Sequence, residues 1–195
     1  MMENVLFGLI MGIGLSAACG IKVFIPMLIL CLGARTEYLT LGENWGWLAS
    51  DGALAIFLTA MIIEICAYYI PALDHLMDLI EAPAAAIAGT VAASAMFVDM
   101  SPLMDWTLAI IAGGGASTAV HVGKSVLRGV VSVPTLGTGN WAFTTGEVIL
   151  SAGMGIVSVV LPIVGLCLIC GIIGGVVYFK HLRSRRGNRV EVIPA

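Results

Sequence analysis

Runs of apolar residues too long for a soluble core set the terms for this chain. Residues 5–34, 48–70, 106–127 and 145–179 are each long enough to cross a bilayer, whose hydrocarbon core of about 30 Å takes roughly 20 helical residues. A shorter run, 83–98, starts at Pro83 and stops at Asp99. Apolar side chains make up 59% of the chain and mean hydropathy is +1.05, more than one soluble core of this length needs. Short segments of alternating polarity, the mark of a membrane β-barrel, are absent. The expectation is an all-α integral membrane protein of about five transmembrane helices, with broken or kinked elements. Residues 1–180 read as the transmembrane domain and 181–195 as a basic tail.

Charge placement orients the spans. Five of the nine basic residues, Lys180, Arg183, Arg185, Arg186 and Arg189, crowd the stretch "FKHLRSRRGNR" that leads into and forms that tail, and the positive-inside rule assigns it to the cytoplasm. The first apolar run has an acid, Glu3, where a secretion signal carries Lys or Arg, so it reads as an uncleaved span. Counting five spans back puts the amino terminus and residues 71–82 outside and Arg35 inside. Trp45, Trp47, Trp106 and Trp141 fall near span ends as an aromatic belt. All five cysteines lie in apolar stretches and read as packing groups.

Two runs are too long for simple helices. Residues 5–34 would make a helix of about 45 Å, and "CGIKVFIP" puts Gly20, Lys22 and Pro26 inside it, so a break near Gly20 is expected. Residues 145–179 contain Pro162, where a kink is expected. "AGGGAS" at 112–117 calls for close helix contact or local unwinding. "GLS" before Lys22 and "GAS" before Lys124 share their spacing, and "WLASDG" (47–52) overlays "WAFTTG" (141–146). Halves 5–82 and 101–179 thus read as an inverted repeat of the kind that frames secondary-transporter sites.

The ionisable residues are few and oddly placed. Between Thr36 and Gly123 there is no Lys or Arg, yet nine carboxylates fall there. Within 71–82, Leu73, Leu76, Met77 and Ile80 form an apolar helix face, while Asp74, Asp78 and Glu81 form an acidic one. Two readings remain open. The segment lies at the interface with its acids in water, or it folds inward so that Asp74 and Asp78 meet Lys22, His121 and Lys124, because charges at membrane depth must be paired or hydrated. His121, Lys124 and Arg128 share one helix face. Glu64, inside "AMIIEICAYY", is either a protonatable relay or a hydrogen-bonded acid, and Glu147 reads as a cap on the last helix. Asp74, Asp78 and His75 are the only metal-ligand spacing worth naming, and interfacial helices often carry it.

The motifs "LSAACGIKVFIP", "IPALDHLMDLI" and "HVGKSVLRGVVSVPTLGTGN", in that order, resemble the bacterial integral-membrane family known as domain of unknown function 4126. The likeness covers roughly residues 12–165. It implies an inner-membrane, multi-pass protein and singles out Lys22, Pro71, Asp74, Asp78, His121, Lys124, Arg128 and Gly139-Asn140. Trp141 stands where the family commonly has proline, and Glu147 where it usually has an acidic pair. The resemblance brings no activity.

No HExxH, GxSxG or P-loop appears, so no enzyme, cofactor or nucleic-acid chemistry is expected. The expected function is a transporter or channel for a cation or small charged solute. Its polar site would contain Lys22, Glu64, Asp74, Asp78, His121, Lys124 and Arg128. The alternative is a non-transporting scaffold or assembly factor whose charged pairs are structural. Glycines at 112–116 and Gly171, Gly174 and Gly175 suggest a homo-oligomer, most simply a dimer.

Overall fold

The first apolar run does not form one helix. In the computed structural model, which describes residues 2–68, 70–98, 100–135 and 140–162 with a few positions beyond, it is split into α1 (Met2–Cys19) and α2 (Phe24–Arg35). A 3-10 turn (Glu43–Ala49) leads to α3 (Asp51–Tyr68) and α4 (Pro71–Met96). Then come α5 (Pro102–Leu108), a π-helical turn (Ala109–Gly114) and α6 (Gly115–Thr135), which follow one another directly, and finally α7 (Asn140–Val160). Among the described residues there is no strand. The protein is an all-α integral membrane protein, and among the described residues four helical stretches, 51–68, 79–96, 102–128 and 142–160, are long and apolar enough to cross a membrane.

The α1–α2 pair enters the bundle and returns. Helix α1 runs antiparallel to α4: Gly8 abuts the Met96 carbonyl, Gly12 the Ala93 backbone, and the Ser16 hydroxyl donates to the Gly89 carbonyl (2.5 Å). Small residues at every fourth position let the backbones approach, which is how helices associate where lipid removes the hydrophobic drive. At Lys22 the chain has reached Glu81, about 22 Å along α4 from Met96. It then reverses. The Gly42 amide donates to the Ala95 carbonyl (3.0 Å) and the Trp45 indole to the Ser94 hydroxyl (3.0 Å), back at the end where α1 began. Helix α7 registers the same reversal, meeting Gly14 through Ser158 and Ile29 through Gly155. The expected break near Gly20 is therefore a re-entrant hairpin, not a kinked span.

That reversal corrects the sidedness inferred from five simple spans. Arg35 lies on the amino-terminal side, and the start of α4 lies on the opposite side. Pro83 also proves no boundary, since α4 runs through it for 26 residues. Glu81 is fixed by ion pairs just before the proline, and Ala85 and Ala88 are packed just after it, so the helix is held on both sides of the lost hydrogen bond.

The glycine run at 112–116 unwinds as expected, into the π turn. A Cβ on Gly113 would sit 2.6 Å from the Gly89 carbonyl oxygen, so this face is used against α4 within the chain. Helix α7 ends at Val160, two residues before Pro162. Cys167, Cys170 and the basic tail lie outside the described residues. Trp45, Trp47 and Trp106 cluster at the amino-terminal end, with ring centroids 6.2 and 6.3 Å apart, as a belt requires.

The hairpin makes a labelling prediction. In a cysteine-free background, Tyr38→Cys should react with a membrane-impermeant maleimide from the same side as the amino terminus, and Ile70→Cys from the other. Reaction of position 38 from the side opposite the amino terminus would restore a simple first span.

Candidate functional site

A helix broken inside a bilayer strands backbone donors and acceptors that water cannot reach. At the tip Gly20–Val23, other helices supply the partners. Glu64 of α3 accepts hydrogen bonds from the Val23 amide (2.8 Å) and the Phe24 amide (3.2 Å), and its charge suits the amino-terminal end of α2. Lys124 of α6 donates to the Ile21 carbonyl (2.8 Å). Ser151 of α7 donates to the Ala18 carbonyl (3.1 Å) and more weakly to that of Lys22 (3.4 Å). Gly20 is required where α1 meets α6, because a Cβ there would strike the Ser117 carbonyl.

The tip carries Lys22, which is fully buried. Its amine lies 3.3 Å from Glu81 Oε1, 3.2 Å from Glu147 Oε2 and 3.2 Å from the centre of the Tyr68 ring. Lys124 pairs with Glu81 Oε2, which also accepts the Tyr68 hydroxyl (2.6 Å). Arg128 Nη2 is 2.7 Å from Glu147 Oε2, and its guanidinium stands 4.8 Å from the Tyr68 ring centre. His121 Nδ1 is 3.9 Å from Glu81 Oε2. The contacts form a chain, Lys124–Glu81–Lys22–Glu147–Arg128, that joins α6, α4, the hairpin and α7. Glu147 Oε1 is buried with no hydrogen-bond partner among the described residues.

Of the residues singled out from sequence, Lys22, Glu64, His121, Lys124 and Arg128 are buried and brought together. The side chains of Asp74, His75 and Asp78 lie outside the described residues. The acid found on the basic cluster is Glu81, next on the same helical face and one turn deeper in α4. Glu147 is not a cap: α7 begins at Asn140, so this glutamate sits in the helix body, where it pairs with Lys22 and Arg128. Tyr68 carries no sequence signal beyond its place at the end of an apolar run. Glu81 carries one, since a helix continued through Pro83 sets it inside the span 79–96.

Removing one member of a buried ion pair leaves an orphan charge and costs about 3–5 kcal/mol, whereas removing both costs less. Glu81→Gln should therefore lower the unfolding free energy by about that amount. Adding Lys124→Met to Glu81→Gln should recover part of it, with a coupling of about 1–3 kcal/mol in a double-mutant cycle. Additive losses would mean that the two side chains do not interact.

The chain matches no curated protein and no solved structure. The family model described as Domain of unknown function (DUF4126) matches residues 9–180. That span holds the hairpin tip, both glutamates that bind Lys22, and the buried Lys22, His121, Lys124 and Arg128, and the chain belongs to this family.

Proposed function

We propose that this protein is a transporter for a small charged solute, with the re-entrant tip and its charged neighbours as the binding site. The observation that carries the reading is the chain of ion pairs ending on irregular backbone inside the bundle. A purely structural bundle gains little from such pairs, because replacing a buried ion pair by apolar groups is often neutral or stabilising. Ionisable side chains at this depth are the usual means of guiding an ion or proton. In this reading the solute enters by exchanging with one partner of an existing pair, so the site opens without leaving a bare charge.

Lys22 and Lys124 converge on one carboxylate, Glu81. The protein works in the bacterial inner membrane as a homo-oligomer, with its basic tail in the cytoplasm. The second reading, a scaffold whose pairs only lock helices, draws on the close pairing of Lys22 and Lys124 with Glu81.

A thermal-unfolding screen of the purified protein against cations, anions and small metabolites separates the two. A transported solute should stabilise the wild type, by about 2.7 kcal/mol at a hundredfold excess over its Kd. It should not stabilise Glu81→Gln, and it should cross liposome membranes only with the wild type. No stabilisation by any class, and no flux, would leave the scaffold.

A further inference from the structure

At the amino-terminal end of the bundle, where the returning hairpin meets the α4–α5 connection, lies a pocket of about 280 Å³. Gly42, Glu43 and Trp45 line it from the hairpin side, and Phe97, Pro102 and Asp105 from the other. Trp45 packs beside Trp47 and Trp106, which puts the pocket at headgroup level. It is distinct from the ion-pair site, because Ser94, which holds Asp105, lies about 20 Å along α4 from Glu81.

The ionisable residues on its described lining are Glu43 and Asp105, both acids. Neither forms an ion pair among the described residues. Arg35, the base on this side of the bundle, is engaged by Asp51 (2.7 Å) and by the Ala49 carbonyl (3.1 Å), and the next Lys or Arg along the chain is Lys124. Asp105 is held in place by a relay: the Trp45 indole donates to Ser94 Oγ, and the Ser94 hydroxyl donates to Asp105 Oδ2, each at 3.0 Å. Its other oxygen, Oδ1, is buried and has no hydrogen-bond partner among the described residues. Buried polar atoms are nearly always partnered, so this carboxylate is short of a donor as well as of a counter-charge.

We propose that this pocket binds an ammonium group, carried by a lipid headgroup or by a free amine, against the Asp105 carboxylate. The positive charge answers the two acids, and the N–H groups supply the donor that Asp105 lacks. Trp45 on the lining adds the aromatic surface that organic cations favour. A bare metal ion fits less well, because no group of three or more His, Cys, Asp or Glu side chains able to hold one occurs among the described residues. The inference is independent of the transport reading, since it concerns other residues at another depth of the bundle.

Benzylamine and benzyl alcohol, alike in shape and different in charge at neutral pH, make the test. With the full-length protein in mild detergent, calorimetric titration should show benzylamine bound and the alcohol bound about tenfold more weakly or less. Asp105→Asn, which keeps an acceptor for Ser94, should weaken benzylamine binding by about tenfold or more. Glu43→Lys sets an ammonium on the lining from an exposed position and should do the same, which keeps the test decisive if the asparagine variant fails to fold. Equal affinity for the alcohol would overturn the proposal, as would benzylamine binding unchanged in Glu43→Lys. Displacement of benzylamine by short-chain phosphatidylethanolamine, and not by short-chain phosphatidylglycerol, would make the natural ligand a lipid headgroup. Bound benzylamine displaced by neither lipid would make it a free amine, and displacement by both alike would overturn the ammonium assignment.

Discussion

Backbone that leaves the helix inside a bilayer must find its hydrogen bonds within the protein, and the turn at Gly20–Val23 imposes that requirement on everything around it. Each stranded group costs several kcal/mol if left alone. Three helices therefore have to deliver polar side chains to one depth: Glu64 from α3, Lys124 from α6 and Ser151 from α7. Two of those three are charged, so they bring a second requirement with them. Lys124 needs a carboxylate, which Glu81 provides from α4, and Lys22 on the tip needs one as well. The hairpin and the ion-pair chain are thus one structure, and neither can be moved without the other.

This arrangement explains why so apolar a protein keeps acids inside the membrane. The pairs cross between helices, so they set the depth of α4, α6 and α7 against the hairpin, and the Glu64 hydrogen bonds set that of α3. Small-residue packing on the α1–α4 seam sets how closely they approach. The same arrangement can be exchanged piecewise. Lys22 already has two carboxylate partners and an aromatic ring within 3.3 Å, and a site with shared partners can admit a charged guest by redistributing them. Function in this account is a use made of contacts that the broken helix already demands.

Much of this was legible in the residues. The apolar runs fixed the class of fold, and Gly20, Lys22 and Pro26 in a run too long for the bilayer located the break. The direction of the chain after the break was not legible. It depends on Glu64, 41 positions away from Val23, and on the Gly42–Ala95 contact, which no local pattern announces. The basic face of His121, Lys124 and Arg128 was readable from helical spacing alone. Its carboxylate partner Glu81 lies on the acidic face that the spacing of Asp74, Asp78 and Glu81 announces, but Pro83 taken as a helix start leaves that glutamate outside the span. Glu147, expected as a cap, lies in the body of α7, which starts at Asn140. In both cases the residue type was informative, and the helix boundary decided its role.

The central claim is that the tip is held as a unit by side chains from several helices, and hydrogen exchange at the Val23 and Phe24 amides tests it most directly. Both amides should exchange slowly in the wild type in lipid nanodiscs. Lys124→Met touches neither amide, yet it should speed their exchange by about tenfold or more, because loss of its bond to the Ile21 carbonyl and its pair with Glu81 loosens the whole tip. Unchanged exchange at both amides in that variant would show that Glu64 alone holds the turn, and would contradict the account.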